Sequence, residues 1–433
     1  MGNETIKCIR RAKITGKNVR SFDKLNDKNI GSNIHRIFER LHCATNNGYY
    51  TPVRCIHIYS TKMIIDNHQN MTLFEIAEAS RHAIRIKRTD MILQDIISKR
   101  GYSELKDIKD ARELSAILEV FYLPKVKLHT FYAHIVKEIM NRKLFPINNR
   151  MWISYFRFLG SNQIFHKDLF DTFANLYSTY LEKLITSNYT RILLESIAIS
   201  SWAFAICAPN VNYPRLFDLI LEYTKSIKND TILLRIFWSL AIKDYGLEHI
   251  DVGLMEQLID KLNSYTDNKR SLYQAYTILL AMKSKGIDVE KLVERCRGLL
   301  RDINYDEQFN KVSKSQRYVS DVLARLRVPH KLETFTDSLI SIDIAICGES
   351  EKIAIEVDGP YHYILNCETM DTSMRTGTTL LKERLLKSDG WIVISTPPVT
   401  LDDRVDVEIS KLDNAYRNLL LNSGSKYLNK LLG

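Results

Sequence analysis

Glycine and proline are scarce, 16 and 9 residues in 433, so few positions punctuate turns or break helices and long helices are favoured. Cysteine is scarce as well. There are seven, an odd number with no Cys-x-x-Cys spacing, which argues against a disulfide framework and for a reducing compartment. His42, Cys43, Cys55 and His57 are potential zinc ligands, but their spacing matches no standard finger, so ordinary buried cysteines beside ordinary histidines are expected, and no metal. No stretch reaches the roughly 18 uninterrupted apolar residues of a membrane span. The best run, Ser196 to Ala208, is shorter and is ended by Pro209. A glycine-rich phosphate loop followed by Lys-Ser or Lys-Thr is also missing, so no nucleotide cofactor is expected.

What is present is a composition that is 45% hydrophobic and 26% charged, on a chain long enough for two or three domains. The formal net charge is +10, and residues 1–100 alone hold 18 Lys+Arg against 9 Asp+Glu. Nearly the whole basic excess therefore lies in the first quarter, and an acidic polymer is the expected partner, RNA ahead of membrane lipid. The opening "MGNETIKCIRRAKITGKNVRS" has one acid against six bases, a balance shared by mitochondrial presequences and by basic arms that thread into RNA. We expect a retained arm over 1–65 whose Arg10, Arg11, Lys13, Lys17 and Arg20 neutralise phosphates. Arg81, Arg85 and Arg88, which share one face of an expected helix, form a second candidate cluster with His82 and Lys87 nearby.

From about 70 to 300 apolar residues recur at three- and four-residue spacing, the pattern of successive amphipathic helices. Four of them align at "TFYAHIVKEIM" (Phe131), "DLFDTFANLY" (Leu169), "RLFDLILEYTK" (Leu216) and "GLMEQLIDKL" (Leu254), separated by 38, 47 and 38 residues. The last three each follow a helix carrying Trp152, Trp202 or Trp238 by 14 to 17 residues. A repeated helix pair predicts an α-solenoid of degenerate repeats over 66–305, with the tryptophans as core between paired helices.

After a junction near 300–312 the character changes to a helix, two neighbouring strands "SLISIDIAI" and "EKIAIEVDGPY", a helix "TLLKERLLKSDG" and a strand "WIVIST", a small α/β domain over 306–433 with a C-terminal helix. In "IAIEVDGPYHY" Glu356 and Asp358 share one strand face while Ile355 and Val357 point the other way. Like charges so placed call for a compensating cation, donor or chemistry. Asp343 on the preceding strand would lie beside Glu356 in a hairpin. A magnesium-dependent nuclease needs converging carboxylates and commonly a lysine near the attacking water, and Lys382 on the following helix is the candidate lysine. Trp391 is expected in the core.

Together "SIDIAI", "IAIEVDGPYHY" and "TGTTLLKERLLKSDGWIVIST" resemble the RAP domain, over about residues 313 to 405. The resemblance runs through Asp343, Glu356, Asp358, Gly359, Pro360, His362, Thr379, Leu381, Lys382, Arg384, Leu385, Gly390 and Trp391. It implies a restriction-endonuclease-like fold following degenerate helical repeats, and organellar RNA binding: rRNA maturation, transcript stability or a place in the mitochondrial ribosome. That family's fold pattern sets Glu and Lys two apart on the second strand, whereas Asp358 occupies the second position here. His362, Lys382 and Arg384 are candidate phosphate contacts.

The expectation is thus a mitochondrial matrix RNA-binding protein, a component or assembly factor of the mitochondrial ribosome, with rRNA and neighbouring ribosomal or ribonucleoprotein proteins as partners, no cofactor and no membrane. The alternatives are a metal-dependent endonuclease using Asp343, Glu356, Asp358 and Lys382, and a protein-binding scaffold.

Overall fold

The computed structural model describes residues 64–85, 91–122, 128–184, 190–263, 269–302, 312–348, 351–396 and 409–432. They are mostly helical, with a small C-terminal sheet region. No helix among them is long and apolar enough to cross a membrane. Contacts divide the chain into two compact units. One runs to Leu169 and takes in Cys367–Met370; the other comprises Phe170–Asn366 and Asp371 onward.

In the first unit, helices α1 (Leu73–Arg85), α2 (Met91–Glu104), α3 (Ala111–Val120), α4 (His129–Arg142) and α5 (Asn149–Asn162) follow one another. Helix α3 packs on both α1 and α5, while α2 lies against α1 and α4. The starts of α3 and α5 have a local chemical cause. Asp110 accepts from the amides of Arg112 (2.8 Å) and Glu113 (3.0 Å), and Asn148 accepts from Met151 (3.1 Å), satisfying donors that the helix itself leaves unpaired. The core is aromatic: Phe121 meets Phe131 and Tyr132, and Tyr132 meets Phe158 edge-on. Trp152 is buried and stacks on Phe156 at 5.3 Å, as expected of a core tryptophan.

The second unit carries α6 (Lys167–Leu184) from Phe170 onward, then α7 (Arg191–Cys207), α8 (Pro214–Thr224), α9 (Asp230–Lys243), α10 (Val252–Asn263), α11 (Lys269–Ser284) and α12 (Glu290–Asp302). Helix α9 packs on α7 and on α11. Trp202 and Trp238 are half-buried on α7 and α9. Buried Lys243, at the end of α9, donates to Ala208 O (2.9 Å), Pro209 O (2.9 Å) and Val211 O (2.6 Å). It thereby ties down the carbonyls of the turn that follows α7. Burial, aided by nearby Arg384, lowers its ammonium to about 8.

Helix α13 (Lys314–Arg325) starts in a capping box, Ser313 with Gln316. A four-stranded sheet follows, in the order β1 (Lys331–Phe335), β2 (Ser341–Cys347), β3 (Lys352–Val357) and β6 (Trp391–Thr396). The first two pairings are antiparallel, and β3 runs parallel to β6. The parallel return is made by β4 (Tyr363–Asn366), β5 (Met374–Arg375) and α14 (Gly377–Ser388). Beyond β6 come α15 (Ile409–Leu421) and α16 (Lys426–Leu432).

Period-two alternation gives the sheet two different faces. Ile344, Ile346, Ile353, Ile355, Val357 and Ile394 pack with Val319, Val322 and Leu323 of α13, and with Tyr416, Leu420, Leu428 and Leu432 of the C-terminal helices. Trp391 is buried, with Lys352 Nζ 5.8 Å from its ring centroid. Helix α14 packs on β6 and also on α7, α9 and α11. The boundary expected at 305/306 lies outside the described residues.

Candidate functional site

The strand register determines which polar side chains meet. Ile344 pairs with Ile355, so Asp343 lies next to Glu356 across β2 and β3; Glu356 in turn pairs with Ser395 on β6. Glu356 is 6% exposed and Asp358 1%. These are the two acids on one face that the sequence called on something to compensate. The compensating groups come from α14 and from the turn after β3. Lys382 forms an ion pair with Glu356 Oε2. His362 Nδ1 lies 3.0 Å from Asp358 Oδ1 and 3.2 Å from Thr379 Oγ1.

Burial is the largest influence on Glu356; Lys382 partly offsets it and Asp343 and Asp358 reinforce it, leaving the carboxyl pushed up to about 7. Burial also opposes the charge on Lys382, but Glu356, Asp343 and Asp358 outweigh it and hold the ammonium above its ordinary value. Glu333 on β1 is raised as well, by burial and by Asp343, and accepts from Gln316 Nε2 at 2.6 Å.

The lysine that strand β3 lacks at position 358 is thus supplied from α14. The carboxylates are only partly committed, since Glu356 Oε1 and Asp358 Oδ2 are buried without a hydrogen-bond partner. Glu356 Oε2 is occupied by Lys382, Asp343 Oδ2 accepts from Val357 N at 2.8 Å, and among the described residues no three His, Cys, Asp or Glu side chains are grouped to hold a metal.

Above the acids lies an open pocket of about 280 Å³. Its walls include Glu356, Tyr361, His362, Arg375, Thr378 and Lys382. Arg375 donates to Ser395 Oγ (2.6 Å) and to Glu383. Burial works against the charge of Glu383, but Lys387 and Arg375 hold it below the usual carboxylate range.

The family model of the RAP domain matches residues 355–398, from the end of β3 through α14 and β6. The chain carries a RAP domain. No curated protein matches the chain. The match is narrower than the 313–405 expected from the motifs, so Asp343, on β2, precedes the matched part of the RAP domain.

The other expected residues scatter. His362 and Lys382 line the pocket. Arg384 is turned away from it, donating to Ala241 O (2.7 Å) and Ile242 O (2.9 Å) at the end of α9. Arg81 and Arg85 fall within α1, in the other unit. Arg10, Arg11, Lys13, Lys17, Arg20 and Arg88 lie outside the described residues, as do His42, Cys43, Cys55 and His57.

Sequence reasoning passed over Glu333, Tyr361, Arg375, Thr378, Glu383 and Ser395. Glu333 had a signal, since "KLETF" is a short β-rich run between Pro329 and Asp337. Arg375 and Ser395 had none: 20 residues apart, they meet only because β6 returns beside β3.

Proposed function

We propose that the protein is a mitochondrial RNA-binding protein, a component or assembly factor of the mitochondrial ribosome that grips rRNA without cutting it. The observation that carries this reading is the RAP domain at 355–398 on a chain whose basic excess is concentrated in residues 1–100. In this reading the helices before it form a degenerate α-solenoid, a form supported by the packing of α7, α9 and α11 in succession and of α1, α3 and α5 in succession. The sheet is then a restriction-endonuclease-like module whose acids serve an ion pair and a backbone amide instead of a metal. RNA is held chiefly by clustered basic residues, with other ribonucleoprotein components as neighbours.

Size fractionation of organelle lysate tests the assembly. The protein is expected to migrate with a particle far larger than its 50.3 kDa, and to shift to light fractions after ribonuclease treatment. Migration as a free protein with and without ribonuclease contradicts the reading. A metal-dependent endonuclease is favoured by one observation, Lys382 beside Glu356 with Asp343 adjacent. Magnesium-dependent RNA cleavage lost in Asp343→Ala and Glu356→Ala would install it instead.

A further inference from the structure

Each charged side chain on the wall of the RAP pocket already faces an opposite charge. Lys382 pairs with Glu356, and Arg375 pairs with Glu383. His362 is held too, its Nδ1 3.0 Å from Asp358 Oδ1 and 3.2 Å from Thr379 Oγ1. A phosphate entering here would meet two cations together with the carboxylates they balance. Drawing either cation away would leave Glu356 or Glu383 unpaired beside the new negative charge. The pocket is therefore poorly suited to an anion and well suited to a polar group without charge.

Tyr361 stands on the same wall and is 58% exposed, so its ring has surface to offer a partner. The backbone beneath it is held in place. Tyr361 follows Pro360 in a 3-10 turn, His362 N donates to Gly359 O at 3.0 Å, and Thr376 N donates to His362 O at 2.8 Å. A ring presented on a fixed turn loses little freedom when a flat group settles on it. The space beside it, about 280 Å³, falls just below the roughly 300–1,000 Å³ of sites that enclose a drug-sized ligand. That is room for one planar heterocycle. Thr378 and Ser395 add hydroxyls to the wall, which the polar edge of such a ring can meet.

We propose that Tyr361 stacks on one unpaired base of single-stranded RNA, whose edge enters this pocket while its phosphate stays outside. The inference rests on the RNA-binding reading and deepens it, adding a contact that is not ionic to those of the basic residues. Fluorescence anisotropy of the full chain with a labelled oligoadenylate, over a salt series, tests it. Tyr361→Ala is expected to weaken binding about tenfold, within the range for a lost base–aromatic stack. The slope of log affinity against log salt is expected to stay as in the wild type, because no phosphate contact is removed. Tyr361→Phe keeps the ring and is expected to bind like the wild type. Annealing the oligoadenylate to oligouridylate pairs its bases, and the difference between wild type and Tyr361→Ala is then expected to vanish. Equal affinity of wild type and Tyr361→Ala for the single strand, an equal loss in Tyr361→Phe, or a slope about 0.7 shallower in Tyr361→Ala, the mark of a lost phosphate contact, would overturn the inference alone. Failure of the wild type to bind the single strand even at low salt would take the RNA-binding reading down with it.

Discussion

Replacing Gly377 by alanine is expected to destabilise the protein by about 3 kcal/mol or more. Helix propensity alone predicts the opposite, a gain of up to about 1 kcal/mol. The decision lies in what a Cβ would meet. At Gly377 it would run into the carbonyl oxygen of Ala205 and into Ile242, closer than real Cβ atoms approach. The carbonyl is backbone near the end of α7 and cannot swing aside, so α14 would have to lift off α7 and α9. Arg384 would then lose its bonds to Ala241 O and Ile242 O. Gly298→Ala in α12 is the matched control, since a Cβ there meets nothing within 4 Å, and it is expected to be neutral or slightly stabilising. Urea denaturation of both variants reads the contrast. A Gly377→Ala protein within about 0.5 kcal/mol of wild type would show that α14 is not seated as described.

Lys382→Met is expected to cost about 3–5 kcal/mol at pH 8, the range for leaving a buried charge unpaired. The substitution keeps most of the aliphatic stem and removes the ammonium, leaving Glu356 beside Asp343 and Asp358 without its cation. The loss should shrink at low pH. With its folded value already about 7 against 4.5 for the free side chain, Glu356 binds a proton in the fold before it would in the unfolded chain. Its contribution is therefore most favourable below 4.5 and is lost as pH rises through about 7. Removing Lys382 moves the upper limit of that window higher still. Denaturation at pH 5.5 and pH 8 should show the variant much closer to wild type at the lower pH. An equal deficit at both would mean that the charge on Glu356 is not what the lysine balances.

The sheet was legible because its chemistry is local. Alternation put Ile355 and Val357 on one face and Glu356 and Asp358 on the other, and the apolar set packs together as that pattern requires. The meeting of Lys382 with Glu356 was legible only as a candidate, since it depends on how α14 returns over β3. Arg384 shows where reading a helix alone fails. Its neighbours Leu381, Leu385 and Leu386 are buried and Lys382 and Glu383 half-buried, the distribution of a helix covered on more than one side. A basic residue expected to face solvent or phosphate therefore meets carbonyls of α9 instead. Glu333 and Arg375 reach the site through strand pairing and crossover, which no short spacing announces.

The proposed function requires that this basic chain, which carries a RAP domain at 355–398, hold RNA without breaking it. Fluorescence anisotropy of the full chain with a labelled single-stranded RNA, taken across a salt series in magnesium, with the RNA then run on a denaturing gel, tests both halves at once. Binding is expected whose log affinity falls linearly with log salt, each phosphate contact adding roughly 0.7 to the slope, with the RNA recovered at full length. No binding at moderate salt, an affinity indifferent to salt, or RNA cut by wild type and spared by Glu356→Ala would contradict it.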